Sequence, residues 1–486
     1  MNFYKKATAG ATPENISKPF TKKDKLSYMC GDLGCNMSFA LNSYLMLFWT
    51  QYMGLSLAVW GVIILVLKLW DAINDPIMGA LMDAIKPKPG QSKFKPWIFW
   101  GSLVLLFSGA ICFIPIPTAP LWVKITICVV GYLLWDLSYT IVNVPYGSLN
   151  AAITADATER ASLSTWRSIG AFIANILLAV LIPMFVYNDE GQVLGQYLII
   201  IGLICGLFGF LFFQILCRGT TERVFIDYEE QQKKEKFNYL KSIKAFVTNR
   251  AAMAFTFVSI FQLLAMAFMQ NCSTLYIQQT FPSFTKFSGI VSMLGFLPTF
   301  FFIPFISKLV KKFGKKEAST WPLLLGIVGG LLLIFLPMEN LPELPGLVLW
   351  ILPSMLLGLS IGVNSLVGWA MVADCIDYHE VKTGKREEGV VYATYSLGRK
   401  LAQGFGASLV SLLLITTGYI PELQEAQPVG VNSNIRILLG IVYVVCFVVQ
   451  FILLLFVYNL DKKKVQEMAQ TLGRENTIEN AKSMDD

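Results

Sequence analysis

The residues that could do chemistry sit where lipid would call for leucine. In "KLWDAINDPIMGAL", Lys68 to Leu81, two aspartates, an asparagine and a lysine interrupt one of the most apolar parts of the chain. Asp71, Asn74 and Asp75 are spaced i, i+3, i+4, so one helical face presents all three. Two carboxylates and an amide oxygen within one turn are hard ligands, and like charges this close repel unless a cation or proton lies between them. That is the chemistry of a sodium or proton site. The plain alternative is a structural ion pair with Lys68 or a neighbouring helix. Two carboxylates at i, i+4, followed by Pro76, favour the cation. Lys68 itself braces a carboxylate or snorkels.

Three further stretches carry polar residues at depth. "WDLSYTIVNVPYGSLNAAIT" puts Thr140 and Asn143 on one face, with Asp136 one turn before Thr140. Thr140 offers a hydroxyl to complete a cation shell, or bonds its own backbone. Asn143 carries both donor and acceptor, which suits sugar hydroxyls. Pro145 loosens the helix there and Gly147 permits close approach. In "TERASLSTWRSIGAF", Arg167 reads as an interfacial anchor or a ligand. "KREEGVVYATYSLGRKLAQGFGAS" sets Arg399 and Lys400 inside an apolar run, with Tyr392 and Ser396 eight and four residues before Lys400. A lysine at this depth needs a partner: substrate, a carboxylate from the N-terminal half, or both in turn. Asp374, Asp377, His379 and Glu380 read as a gate or salt-bridge patch near the cytosol.

These residues must be held by membrane helices. The chain has 486 residues, 55% of them hydrophobic and 15% charged, with a mean hydropathy of +0.57. That composition is an integral membrane protein's. The net charge of +7 resides in short gaps between apolar runs, which argues against nucleic acid as a partner. The nine cysteines are scattered singly with no CxxC, so they read as small buried residues. One histidine, His379, excludes a His-based zinc site, and the absence of a nucleophile–base pair excludes an enzyme with its cofactor.

About twelve runs are long enough to cross a bilayer at roughly 20 residues each. They cover 26–53, 57–81, 96–117, 121–150, 162–187, 195–217, 250–272, 284–308, 318–337, 345–373, 389–416 and 434–459. The first is too long for a signal peptide's apolar core and is expected to stay as a span. The polar gap 218–249 splits the runs six and six. The expected organisation is a tail 1–25, a six-helix half 26–217, a central loop 218–249, a second half 250–459 and a tail 460–486. Alternate loops are basic (Lys86, Lys88, Lys93, Lys95; Arg160; 218–250; Lys308 to Lys316; Lys382 to Arg386) and nearly bare of Lys and Arg. Both termini are therefore expected in the cytosol. This all-α layout, two six-helix halves about a central cytosolic loop, is that of a major-facilitator fold, with substrate held between the halves near the midplane.

Here the resemblance becomes specific. "DAINDPIMGALMD", "NVPYGSL", the block from Glu159 to Arg167 and "TGKREEGVVYATYSLGRK" resemble, in order and over nearly the whole chain, the glycoside-pentoside-hexuronide:cation symporters, the family of melibiose permease and the glucuronide carriers. The resemblance implies alternating access driven by sodium or protons in a bacterial cell membrane, with a sugar or glycoside as cargo and a functional monomer. It implies Asp71, Asn74, Asp75 and Thr140 as cation ligands, Asp71 and Asp75 holding Na+ if sodium is the coupling ion. It implies Asn36, Asn143, Arg167 and Lys400 at the sugar, joined by Tyr139, Tyr392 and Ser396. Asn143 and Asn36 stand where melibiose permease has aspartates, and Gly147 where it has a stacking tryptophan. "NVPYGSL" is closer to the glucuronide and xyloside branch. A major-facilitator carrier of lipid or another non-sugar solute is the alternative.

The charge asymmetry of the loops is checked by labelling. The thiol introduced by Asn188→Cys is expected to react with an impermeant reagent added from outside intact cells. Reaction only in inverted vesicles would reverse the topology.

Overall fold

The computed structural model of the protein describes residues 4, 7–85, 87, 90–224, 249–384, 388–424 and 426–472. Among them the regular structure is helical, apart from two isolated bridges, Ala9 with Gln91 and Tyr187 with Val193. The chain forms two compact units. The first comprises 1–235 with the short pieces 282–289 and 420–426. Its long helices are α1 (Lys22–Phe39), α2 (Leu57–Ala84), α3 (Lys95–Ile111), α4 (Leu121–Ile153), α5 (Ala157–Val186) and α6 (Gly195–Gly219). The second comprises 236–281, 290–419 and 427–486. It holds α7 (Arg250–Phe268), most of α8 (Ser288–Phe313), α9 (Pro322–Phe335), α10 (Glu343–Thr383), α11 (Glu388–Ile415) and α12 (Val431–Ile452).

Nine helical stretches among the described residues are long and apolar enough to cross a membrane. Three expected runs fall outside that set, each for a physical reason. α1 carries four charges in its first turn and Asp32 in its middle, and continues through a 3-10 turn (Ala40–Tyr44) to a π-helical end (Phe48–Tyr52). α3 is only 17 residues, because Pro115 and Pro117 keep the chain after Ile111 from staying helical. α11 contains Arg399 and Lys400. α10 runs past the expected limit at 373 to Thr383, where Gly384 closes it in the left-handed region at φ 68°. Asp374, Asp377, His379 and Glu380 are thus helical, and Lys315 Nζ meets Asp374 at 2.6 Å. Lys86, Lys88, Lys385, Arg386 and residues 225–248 of the central loop lie outside the described residues.

Helix crossings in both units depend on missing side chains. A Cβ on Gly206 of α6 would lie 2.3 Å from the Leu106 carbonyl oxygen of α3. One on Gly358 of α10 would lie 2.1 Å from the Gly295 oxygen of α8. Backbones can approach this closely only where the side chain is absent, which is how membrane helices associate without a hydrophobic drive. In the first unit α1 packs on α5 and α6, α3 on α4 and α6, and α2 on α4. In the second, α9 packs on α10 and α12, and α7 on α11.

Each unit also carries an ion-pair clamp at one end. In the first, Arg223 meets Asp24 at 2.9 Å and donates to the carbonyls of Lys18, Pro19 and Thr221. Ser92 bonds Glu222, and Lys95 Nζ donates to the Thr220 carbonyl at 2.7 Å. In the second, Arg436 grips Glu339 with two hydrogen bonds, at 2.9 and 3.0 Å, and Ser433 adds a third. Burial by itself raises the Glu339 pKa, but the bonds from Arg436 and Ser433 outweigh it and hold the carboxyl below its ordinary range. The stability this lends is complete above the ordinary carboxylate pKa and is lost as pH falls through the depressed one. Glu339→Gln leaves the Arg436 charge buried and is expected to cost about 3 kcal/mol. Melting curves of the purified protein should show a lower Tm and a weaker acid dependence for this variant. Unchanged melting would remove the clamp from the stabilising contacts.

Candidate functional site

The polar stripe of α2 faces a second stripe on α4. Asp71, Asn74 and Asp75 share a face of α2; Tyr132, Asp136 and Thr140, at intervals of four, share a face of α4. The rungs are explicit. Thr140 Oγ1 donates to Asp75 Oδ1 at 3.1 Å. Asn74 Nδ2 donates to Asp136 Oδ2 at 3.2 Å, both residues being buried. Lys68 Nζ lies 3.8 Å from Asp71 Oδ2 and 5.5 Å from the Tyr132 ring centre. The four residues expected at the cation therefore fall on one seam, in the first unit.

The seam has a member that the sequence reading left without a role. Asp136 is a third carboxylate, and its only signal in sequence was its position one turn before Thr140. Lys68 is the ammonium that pairs at this seam. Among the described residues, the carboxylates of Asp71, Asp75 and Asp136 gather on this seam with the Lys68 ammonium. In a low-dielectric surrounding, clustered carboxylates attract cations or retain protons. The Asn74 amide nitrogen is committed to Asp136, so its oxygen is the atom left to face a cation.

A second cluster joins α1, α4 and α5. Arg167 Nε meets Asp32 Oδ2 at 2.6 Å, and the guanidinium lies over the Tyr146 ring, 4.8 Å from its centre. Asn36 donates to the Asp32 carbonyl at 2.8 Å and accepts from Asn175 at 3.0 Å. Asn143 Oδ1 takes the Cys35 thiol at 3.8 Å. Tyr139 sits with its ring 6.2 Å from that of Phe39. Of the residues expected at the sugar, Asn36, Asn143, Arg167 and Tyr139 thus belong to the first unit. Asp32 was missed: a single aspartate in "GDLGCN" has no spacing partner, and its partner Arg167 is 135 residues away.

The remaining three lie on α11 of the second unit. Lys400 and Ser396 are half-buried there, and the Tyr392 side chain lies outside the described residues. The adjacent Arg399 is a packing residue: its guanidinium stacks on Trp369 and Tyr395, 5.2 and 5.6 Å from their ring centres.

Polar stripes on paired helices of a two-unit helical protein are the anatomy of a solute carrier, and the comparisons agree. The family described as MFS/sugar transport protein matches residues 27–462. The chain belongs to that family, the glycoside-pentoside-hexuronide symporters. An uncharacterized symporter of Bacillus subtilis is 31% identical over 94% of this chain and 96% of its own. The isoprimeverose transporter of Lactiplantibacillus pentosus is 28% identical over 94% of this chain and 93% of its own. The inward-open xylose transporter of Escherichia coli has the same fold, with a TM-score of 0.60 at 13% identity over 92% of this chain and 98% of that one. The protein is a major-facilitator membrane transporter and not an enzyme.

Asn143→Ala tests the second cluster. It should weaken substrate binding by about 1–3 kcal/mol, the cost of leaving a buried polar group unpaired. Expression and cation affinity are expected to survive. An uptake assay with unchanged apparent affinity would take Asn143 out of the pocket.

Proposed function

We propose that the protein is a cation-coupled symporter of a glycoside, pentoside or hexuronide, with Asp71, Asn74, Asp75 and Thr140 as the coupling site. The single observation that carries this reading is the α2–α4 seam, where Asp75 and Thr140 lie 3.1 Å apart beside the buried Asn74–Asp136 pair and carboxylates cluster with one lysine. A carboxylate oxygen, a hydroxyl and an amide oxygen are the donor set that replaces the hydration shell of Na+, and carboxylates alone serve H+. Asn36, Asn143, Arg167 and Tyr139 in the first unit, with Lys400, Ser396 and Tyr392 in the second, are the proposed substrate contacts. The fuller topology we propose is twelve spans, six per half, with both termini in the cytosol and a single chain as the working unit. The isoprimeverose transporter among the relatives supports a sugar cargo.

The mechanism follows from charge. With the cation site empty, the carboxylate charge of the seam disfavours the state that accepts sugar. Cation binding neutralises it and favours that state, and the loaded carrier then converts freely. The ion shifts an equilibrium by its differential affinity for the two states, and no bond in the substrate changes.

Asp75→Asn keeps the shape and removes one charge. Uphill accumulation of substrate in vesicles should fall to background, while counterflow down the substrate's own gradient persists. Asp71→Cys should lose the sodium effect and retain only what protons drive through the remaining carboxylates. Full active uptake by Asp75→Asn would end the cation-site reading.

A further inference from the structure

We propose that Asp32 is the positioning residue of the substrate pocket in the first unit: it holds the Arg167 guanidinium by its Nε edge, so that Nη1 borders the open space left at Gly147. The inference rests on the reading of Arg167 as a substrate contact.

Four observations bring the residues together. The Asp32 side chain is 10% exposed and takes Arg167 Nε at 2.6 Å. The same carboxylate oxygen lies 3.1 Å from the Tyr146 hydroxyl, which also lies 2.9 Å from the Tyr28 carbonyl. The Tyr146 ring forms the floor under the guanidinium and cannot move aside: Tyr28 packs on it with ring centres 4.8 Å apart, and a Cβ on Gly31 would lie 2.2 Å from its edge. Gly147 is exposed, and among the described residues Arg167 Nη1, at 3.7 Å, is the neighbour that a Cβ built there would meet beyond its own helix.

The arrangement fixes a fork in one orientation. A guanidinium carries five N–H groups in a plane. Asp32 engages Nε, the Tyr146 ring fixes the plane, and Nη1 remains at the border of the free volume. Because Asp32 offsets the Arg167 charge, Nη1 offers directional donation rather than net attraction. That suits the neighbouring hydroxyls of a pyranoside ring. Without Asp32 the long arginine chain regains its rotamers, and the donors no longer meet the same oxygens. Geometric fixing of this kind is expressed in binding, while the coupling seam on α2 and α4 is left intact.

Two measurements test the proposal. In vesicles, Asp32→Asn is expected to raise KM for the transported glycoside at least about tenfold, the loss of one charge-assisted hydrogen bond, with maximal rate and cation affinity close to those of the parent. Asp32→Glu, which keeps the charge, should recover part of the loss, and Tyr146→Phe should raise KM by a smaller factor. An unchanged KM with reduced rate or yield overturns the proposal and leaves Asp32 a folding residue. The second measurement needs no substrate, so it stands even if the wild type carries no glycoside and the functional reading falls. The thiol introduced by Gly147→Cys sits beside Arg167, and the pH profile of its alkylation reports the guanidinium. Adding Asp32→Asn is expected to move that profile upward, toward the one measured with Arg167→Gln. A profile that stays in place or moves downward shows the guanidinium held without Asp32 and overturns the proposal.

Discussion

An ionised side chain in a dry helix bundle must be answered by another group, and that constraint organises the whole chain. In the first unit the answer comes as two facing stripes, one on α2 and one on α4, whose polar rungs meet at hydrogen-bond distance. The stripes exist only because both helices repeat their polar residues every three or four positions. The rungs in turn fix the rotation of α2 against α4, since a turn of either helix about its axis would bury carboxylates against hydrocarbon. On the proposed reading, function is added to this scaffold by an ion that joins the seam carboxylates.

The second cluster obeys the same constraint with a different outcome. Asp32 and Arg167 balance one another, so their junction of α1 with α5 has no excess charge. The two clusters share α4, which carries Asp136 and Thr140 toward α2, while Asn143 and Tyr146 meet residues of α1. On the proposed reading, occupancy of the seam and of the pocket would thus act on one helix. That is a physical route for a cation to influence sugar affinity without touching the sugar.

Local patterns were legible in the sequence and long-range partners were not. Asp71, Asn74 and Asp75 announce themselves by spacing, and the long apolar runs by length alone. The identity of α4 as the facing helix does not follow from either. Asp136 differs from a structural aspartate only by what lies opposite it, and Asp32 is invisible until Arg167 is brought beside it. The clamp of Arg223 on Asp24 likewise joins residues 199 apart in sequence. The long continuation of α10 escaped because charged residues after 373 read as loop, although a helix leaving the apolar zone can carry them on its polar face. Pro145 was expected to loosen α4, yet the helix runs unbroken to Ile153, as neighbouring helices permit in membrane proteins.

The polarity of α1 has a consequence for how the chain is made. On the proposed topology this helix reaches the translocon before α5, with Asp32 at a depth where an aspartate costs about 2.5–3.5 kcal/mol. The guanidinium that relieves the cost belongs to α5, synthesised 135 residues later. Until α5 emerges, the nascent α1 holds an unanswered charge. Its stable residence in the bilayer then depends on a helix that follows it in the chain.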